Sequence, residues 1–156
     1  MIKTNAMRIL DKYKVLYEEL NLDINEALDG VTCAKMLNLN IDIVFKTLVT
    51  VSKSKNYYVF VIPVNCKLDL KKAAKKVNEK NLEMLPLKDL LKVTGYVHGG
   101  CSPIGMKKIF KTVFDESALN YKEIVFSGGK IGYFVKLNVR DIENIIDISY
   151  ENVVED

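Results

Sequence analysis

Residues 95–108 read GYVHGGCSPIGMKK and hold four glycines, a proline, a serine, a cysteine and the chain's only histidine. A second run, SGGKIG, spans 127–132, and seven of the eight glycines fall within 95–105 and 128–132. Glycine admits positive φ and lets a ligand approach the backbone closely. Several free N–H groups in one turn can hold a phosphate, a carboxylate or a developing oxyanion. Turn geometry alone would account for one such window. Two, in a chain otherwise poor in glycine, point to the walls of a site. The third feature is Lys46, set in IVFKTLV among apolar residues. On a strand it would share a face with Val44 and Leu48. Its ammonium must then reach water, meet an anion or lose its charge. At a sheet edge it would snorkel to solvent; at a pocket wall it would grip a carbonyl oxygen or a phosphate.

Other chemistries find less support. SGGKIG is not a phosphate-binding P-loop, and no GxGxxG occurs. GCSPI resembles a nucleophile elbow, but Ile104 stands where the last glycine belongs. Ser102 has no triad, since no acidic residue lies near enough in the motif to orient His98. Cys101 and His98, three residues apart, leave a thiol–base pair open as an alternative. His98 otherwise reads as a loop residue or a substrate contact. Cys33, Cys66 and Cys101 form no CxxC pair and no zinc spacing. No metal or cofactor is expected, and the odd count of thiols suits a reducing cytoplasm. No apolar run approaches a membrane span.

The elements that would position these residues follow from pattern. TNAMRILDKYK, residues 4–14, suits a short amphipathic helix, and VLYEEL an edge strand. VTCAKMLNL, 31–39, predicts another helix. VFKTLVTVSK and NYYVFVIPVN, joined by SKSK, predict a hairpin that carries Lys46. KLDLKKAAKKVN predicts a helix capped by Asp69, and Pro86 opens a further helix in PLKDLLKV. KTVFDE predicts a strand, EIVFSGGKIGYFVKLN two strands about a glycine turn, and RDIENIID a closing helix. The 156 residues are expected to form a single α/β domain, 1–156, with a mixed, curved, barrel-like sheet surrounded by short helices. Net charge is +3, yet residues 1–140 hold all 23 Lys and Arg against 14 Asp and Glu, a body suited to a polyanionic partner.

VFKTLV, TGYVHGGCSPIGMKK and SGGKIG, with LDLKKAAKKV between the first two, stand in the order and approximate spacing of a known family. From Ala6 to about Ile148 the chain resembles the YbaK-type aminoacyl-tRNA editing domain family. The resemblance implies a small mixed α/β fold and a trans-acting deacylase of mischarged tRNA, with Cys-tRNA(Pro) as the substrate most often met. It implies neither metal nor protein nucleophile: the substrate's own thiol attacks the ester, and the protein orients it and stabilises the oxyanion. By the same resemblance, Lys46 holds the substrate's carbonyl or its terminal adenosine phosphate. Gly99, Gly100 and Ser102 shape the pocket, and Ser127, Gly128 and Gly129 face them near the ribose. Thr47, Tyr96, His98, Cys101, Pro103 and Lys130 are the further expected substrate contacts. The expected partners are the 3′ aminoacyl end of tRNA and prolyl-tRNA synthetase, which would supply tRNA identity. Two positions depart from the cysteine-specific pattern: Phe134 stands where an aspartate is usual, and Leu22 where a tyrosine is. The alternative is a non-catalytic aminoacyl-tRNA or nucleotide-binding module of the same fold.

Overall fold

The computed structural model describes residues 2–156. Four short α-helices are α1 (Asn5–Lys12), α2 (Gly30–Met36), α3 (Leu70–Lys76) and α4 (Leu87–Thr94). Eight strands are β1 (Tyr17–Asn21), β2 (Phe45–Val51), β3 (Tyr57–Pro63), β4 (Glu83–Met84), β5 (Lys111–Asp115), β6 (Ile124–Lys130), β7 (Tyr133–Leu137) and β8 (Ile148–Glu151). The helices begin where a short polar side chain can take up orphan N–H groups. Thr4 accepts from the N–H of Met7, Asp29 from Thr32, and Asp69 from both Lys71 and Lys72. Pro86 precedes α4, and Gly95 ends it at φ 87°.

The strands form two sheets, ordered β1-β7-β6 and β4-β2-β3-β5-β8. The larger is mixed: β2 and β3 are the expected antiparallel hairpin, whereas β5 pairs parallel to both β3 and β8. Between the sheets lies the main core, where Phe45 and Val49 of β2 and Phe114 of β5 meet Ile124, Phe126, Val135 and Leu137. Helix α3 covers the opposite face of the larger sheet on Phe60 and Ile62. Helix α2 covers the opposite face of the smaller sheet, placing Cys33 and Ala34 against Val125 and Phe134.

Two sequence expectations need correction. The strands do not close into a barrel. The sheets touch through one parallel bridge, Val44 to Val125, and then separate. The predicted closing helix is only a 3-10 turn, Val139–Ile142, followed by β8. Ile145, Ile146 and Ile148 pack on the main core instead. Their β-branched side chains favour strand and turn backbone, and the exposed edge of β5 offers that segment a full ladder. The chain end is tied in beyond β8. Val153 is fully buried, the N–H of Asp69 donates to its carbonyl at 2.8 Å, and Leu68 bridges to Val154.

A candidate active site in the fork between two sheets

The separation of the sheets makes the site. Val44 is level with Val125, so carrying that register forward two residues sets Lys46 level with Ser127. Beyond the bridge β2 and β6 share no ladder. On its other side β2 pairs with β3 throughout, and β4 reaches only Thr50 and Val51. The early half of β2 is therefore an open edge. In an antiparallel ladder alternate residues turn their backbone groups toward one neighbour. The carbonyl of Val49 accepts from Leu85, away from β3, at 2.9 Å. Thr47, of the same parity, must turn its own N–H and C=O into the fork.

A cavity of about 510 Å³ fills this fork, within the size range of small-ligand sites. It is lined by Lys46 and Thr47 from β2, by Ser127 from β6, and by His98, Gly99 and Cys101 from the loop after α4. The two glycine-bearing runs touch directly. A Cβ added at Gly100 would lie 3.0 Å from the N of Ile131, and one at Gly99 would lie 2.5 Å from the Cβ of Ala27. Gly99 also holds φ 86°, so both its conformation and its crowding select glycine. Gly128 and Gly129 occupy a bulge where the β6–β7 register shifts between Ser127 and Lys130, which turns β6 away from the regular ladder.

The polar groups of the cavity differ in what they can do. Lys46 Nζ donates to the carbonyl of Val64 at 3.4 Å, a long contact that leaves the ammonium donors to spare. Burial holds the Lys46 ammonium below the ordinary lysine value; Lys67 acts in the same sense and Cys66 opposes both. Thr47 Oγ1 is buried with no hydrogen-bond partner among the described residues, an unusual state for a hydroxyl. The N–H groups of Gly99 and Cys101 likewise meet no acceptor among the described residues, whereas that of Gly100 donates to Val97 at 3.0 Å. Burial pushes the Cys101 thiol up to about 12, so it is not a ready thiolate. The carboxylate of Asp29 is held low by the N–H and hydroxyl of Thr32, at 2.9 and 2.8 Å; it caps α2 and is no free base.

Not every expected site residue reaches the cavity. Ser102 is fully buried behind it, its hydroxyl accepting from the N–H of Ile104 at 3.2 Å, so it braces the turn. Gly100 is buried too, and its N–H is spent within the turn. Gly128 packs against Met7 of α1. Tyr96, Gly129 and Lys130 line a second cavity, on the far side of the loop. The Tyr96 hydroxyl donates to the carbonyl of Ile104, which staples the loop. Pro103 lies at a third opening, beside Ile9 and Tyr13 of the α1 segment. Of the two departures, Phe134 lines the main cavity, opposite Ser127 in register, and Leu22 lines the second.

The wall supplied by residues 27–33 and by Leu90 had no distinct sequence signal. Cys33 lies in the helix predicted over 31–39 and Ala27 and Asp29 just before it, and the packing of α2 on the smaller sheet brings them to the fork. Among the described residues no three His, Cys, Asp or Glu side chains group as metal ligands, and no helix is long and apolar enough to cross a membrane.

Fold and cavity together define a small mixed α/β domain with one pocket lined by a lysine, a serine and a glycine turn. The model of the aminoacyl-tRNA editing domain matches residues 25–145, and the chain belongs to that family. It is 48% identical over 136 residues to a protein of Enterococcus faecalis provisionally named Cys-tRNA(Pro)/Cys-tRNA(Cys) deacylase EbsC, covering 86% of this chain and 83% of that one. A solved structure provisionally described as a trans-editing enzyme for prolyl tRNA synthetase superposes with a TM-score of 0.81 at 20% identity, over 98% of this chain and 99% of the other. A second, of a hypothetical protein, gives 0.85 at 18% identity over 95% and 97%. These two likenesses concern the fold.

Proposed function

We propose that this chain, acting over residues 1–156 as one editing domain, hydrolyses the ester between a mischarged amino acid and the terminal ribose of tRNA. One observation carries the proposal: Lys46, the Gly99 turn and Ser127 meet in a single cavity, beside a threonine whose buried hydroxyl has no partner among the described residues. Thr47 and the free N–H groups of Gly99 and Cys101 are donors for the developing oxyanion. Lys46 steadies the ester carbonyl or the terminal phosphate, and Ser127 faces the ribose. Of the groups at the cavity, Asp29 is tied up as the cap of α2 and His98 is exposed at its edge, so the reading rests on a substrate that brings its own nucleophile. With a cysteinyl ester, the substrate thiol attacks the carbonyl carbon, the C–O bond to the ribose breaks, and the thiol proton passes to the leaving ribose oxygen. A cyclic thiolactone departs. Orienting a thiol in this way is worth up to ~7–11 kcal/mol of barrier, and each oxyanion donor ~3 kcal/mol.

Phe134, Val31, Val44 and Leu48 give the cavity an apolar lining, which selects a small uncharged side chain over a charged one. The name of the 48%-identical relative supports cysteine on proline or cysteine tRNA as that substrate. Prolyl-tRNA synthetase is the proposed partner that presents the tRNA. The phenylalanine at the position of a carboxylate favours, as second reading, a module that binds charged tRNA without turnover. One panel separates the two: release of amino acid from Cys-tRNA(Pro), Cys-tRNA(Cys) and Ala-tRNA(Pro), with and without synthetase. Release of cysteine well above the protein-free rate is the expected result. Binding with no release from any member would leave only the module.

A further inference from the structure

Resting on that deacylase reading, we infer that the second cavity holds the single-stranded nucleotides that precede the terminal adenosine of the tRNA. The cavity is large, about 830 Å³, and is separated from the first by a thin wall. Gly99, His98 and Ala27 face one side of that wall, and Val97, Tyr96 and Asn25 face the other. Ile131 seals the seam, 3.5 Å from where a Gly99 Cβ would stand. The strand alternation of β7 assigns the two sides. Phe134, paired with Ser127, points into the first cavity, and its neighbour Tyr133, paired with Lys130 and Asn21, lines the second. A strand that leaves the ester site over the sheet end thus arrives at Tyr133 and Lys130.

The residues there match the chemistry of unpaired RNA. Lys130 Nζ lies 5.3 Å from the centroid of the Tyr133 ring, so a cation is held beside an aromatic plane. That pairing serves a nucleotide twice, the ring for its base and the ammonium for its phosphate. Across the cavity, residues 21–25 run with Leu22 and Ile24 half-buried and Asn21, Asp23 and Asn25 exposed. The Leu22 N–H donates to the carbonyl of Gly132 at 2.8 Å, which pins this segment to the same turn. Two amides and a carboxylate supply donors and acceptors for a base edge or a 2′-hydroxyl, and a carboxylate accepts from the exocyclic amine of cytosine.

The test compares kcat/KM on Cys-tRNA(Pro) with that on 3′-O-cysteinyl-adenosine, which lacks everything before the last nucleoside. Wild type, Tyr133→Leu and Tyr133→Phe are measured, with thermal melts to confirm folding. Tyr133→Leu is expected to lower the tRNA-to-adenosine ratio roughly five- to hundredfold, and Tyr133→Phe to keep it, because the ring suffices for stacking. An unchanged ratio in Tyr133→Leu, or an equal fall on both substrates, would overturn the inference. Anisotropy titration with a fluorescent CCA-ended minihelix gives an answer even if no ester is cleaved, and so separates this inference from the deacylase reading. Binding weakened in Tyr133→Leu but not in Tyr133→Phe supports it, and equal binding by all three proteins refutes it.

Discussion

Lys46→Met separates catalytic from structural use of the lysine, because the two predict opposite pairs of results. In the native chain the side chain runs along the cavity wall and its ammonium makes one long hydrogen bond, 3.4 Å to Val64. Such a bond contributes at most ~1 kcal/mol net. Against it stands the burial that already disfavours the charge. Methionine keeps the unbranched stem and adds apolar contact worth ~0.8 kcal/mol per methylene equivalent. The terms nearly cancel, so the unfolding free energy should stay within ~1 kcal/mol of wild type. Activity has no such offset. Loss of a preorganised group at a developing oxyanion removes ~3–4 kcal/mol, or ~10²–10³ in kcat. Urea melts give the first number and single-turnover deacylation the second. A variant retaining more than about a third of wild-type activity would refute the role assigned to Lys46. One destabilised by well over ~2 kcal/mol would show that the ammonium is a structural element after all.

Further outcomes follow from the same geometry. Since the Lys46 value is lowered by burial, its charge disappears as pH rises through a point below 10.5. Enzymatic release, corrected for spontaneous hydrolysis, should show an alkaline limb below that point. In Lys46→Arg any residual activity should persist to higher pH, because guanidinium keeps its proton. Gly99→Ala combines a left-handed backbone, ~1–2 kcal/mol, with overpacking against Ala27, ~1–3 kcal/mol. A loss of ~2–5 kcal/mol in urea melts is expected, partly restored by Ala27→Gly in the same chain, and no restoration would locate the strain elsewhere. Cys101→Ser should lower release less than threefold, and a thiol reagent should modify half-buried Cys66 well before buried Cys33 and Cys101. Rapid inactivation through Cys101 would revive a thiol nucleophile.

The parts of this molecule set by local chemistry were readable in advance. Asp69 caps α3, SKSK turns the β2–β3 hairpin, and the glycine turn joins β6 to β7 where the pattern places them. Lys46 and the two glycine runs each carry a local anomaly, and Lys46, Gly99 and Ser127 line one cavity. What stayed hidden depends on partners remote in sequence. Nothing in RDIENIIDISY announces that β5 will offer it a parallel edge, so the pattern predicts a helix over 140–147 and no strand after it. Ser102 is a pocket residue by resemblance alone, and its hydroxyl accepts within the turn that surrounds it. Thr47 draws notice in the sequence only as the neighbour of Lys46, although its buried, unpaired hydroxyl lies on the cavity wall. That feature exists only where β2 and β6 share no ladder.

The parallel placement of β8 at the outer edge of β5, with Val153 sunk beneath Asp69, bears on how the polypeptide matures. The sheet ladder that carries Lys46 gains its last rung from residues 148–151, so a nascent chain cannot finish that ladder while this segment is still inside the ribosomal exit tunnel. Residues 148–151 must clear that tunnel before the protein can begin to police translation.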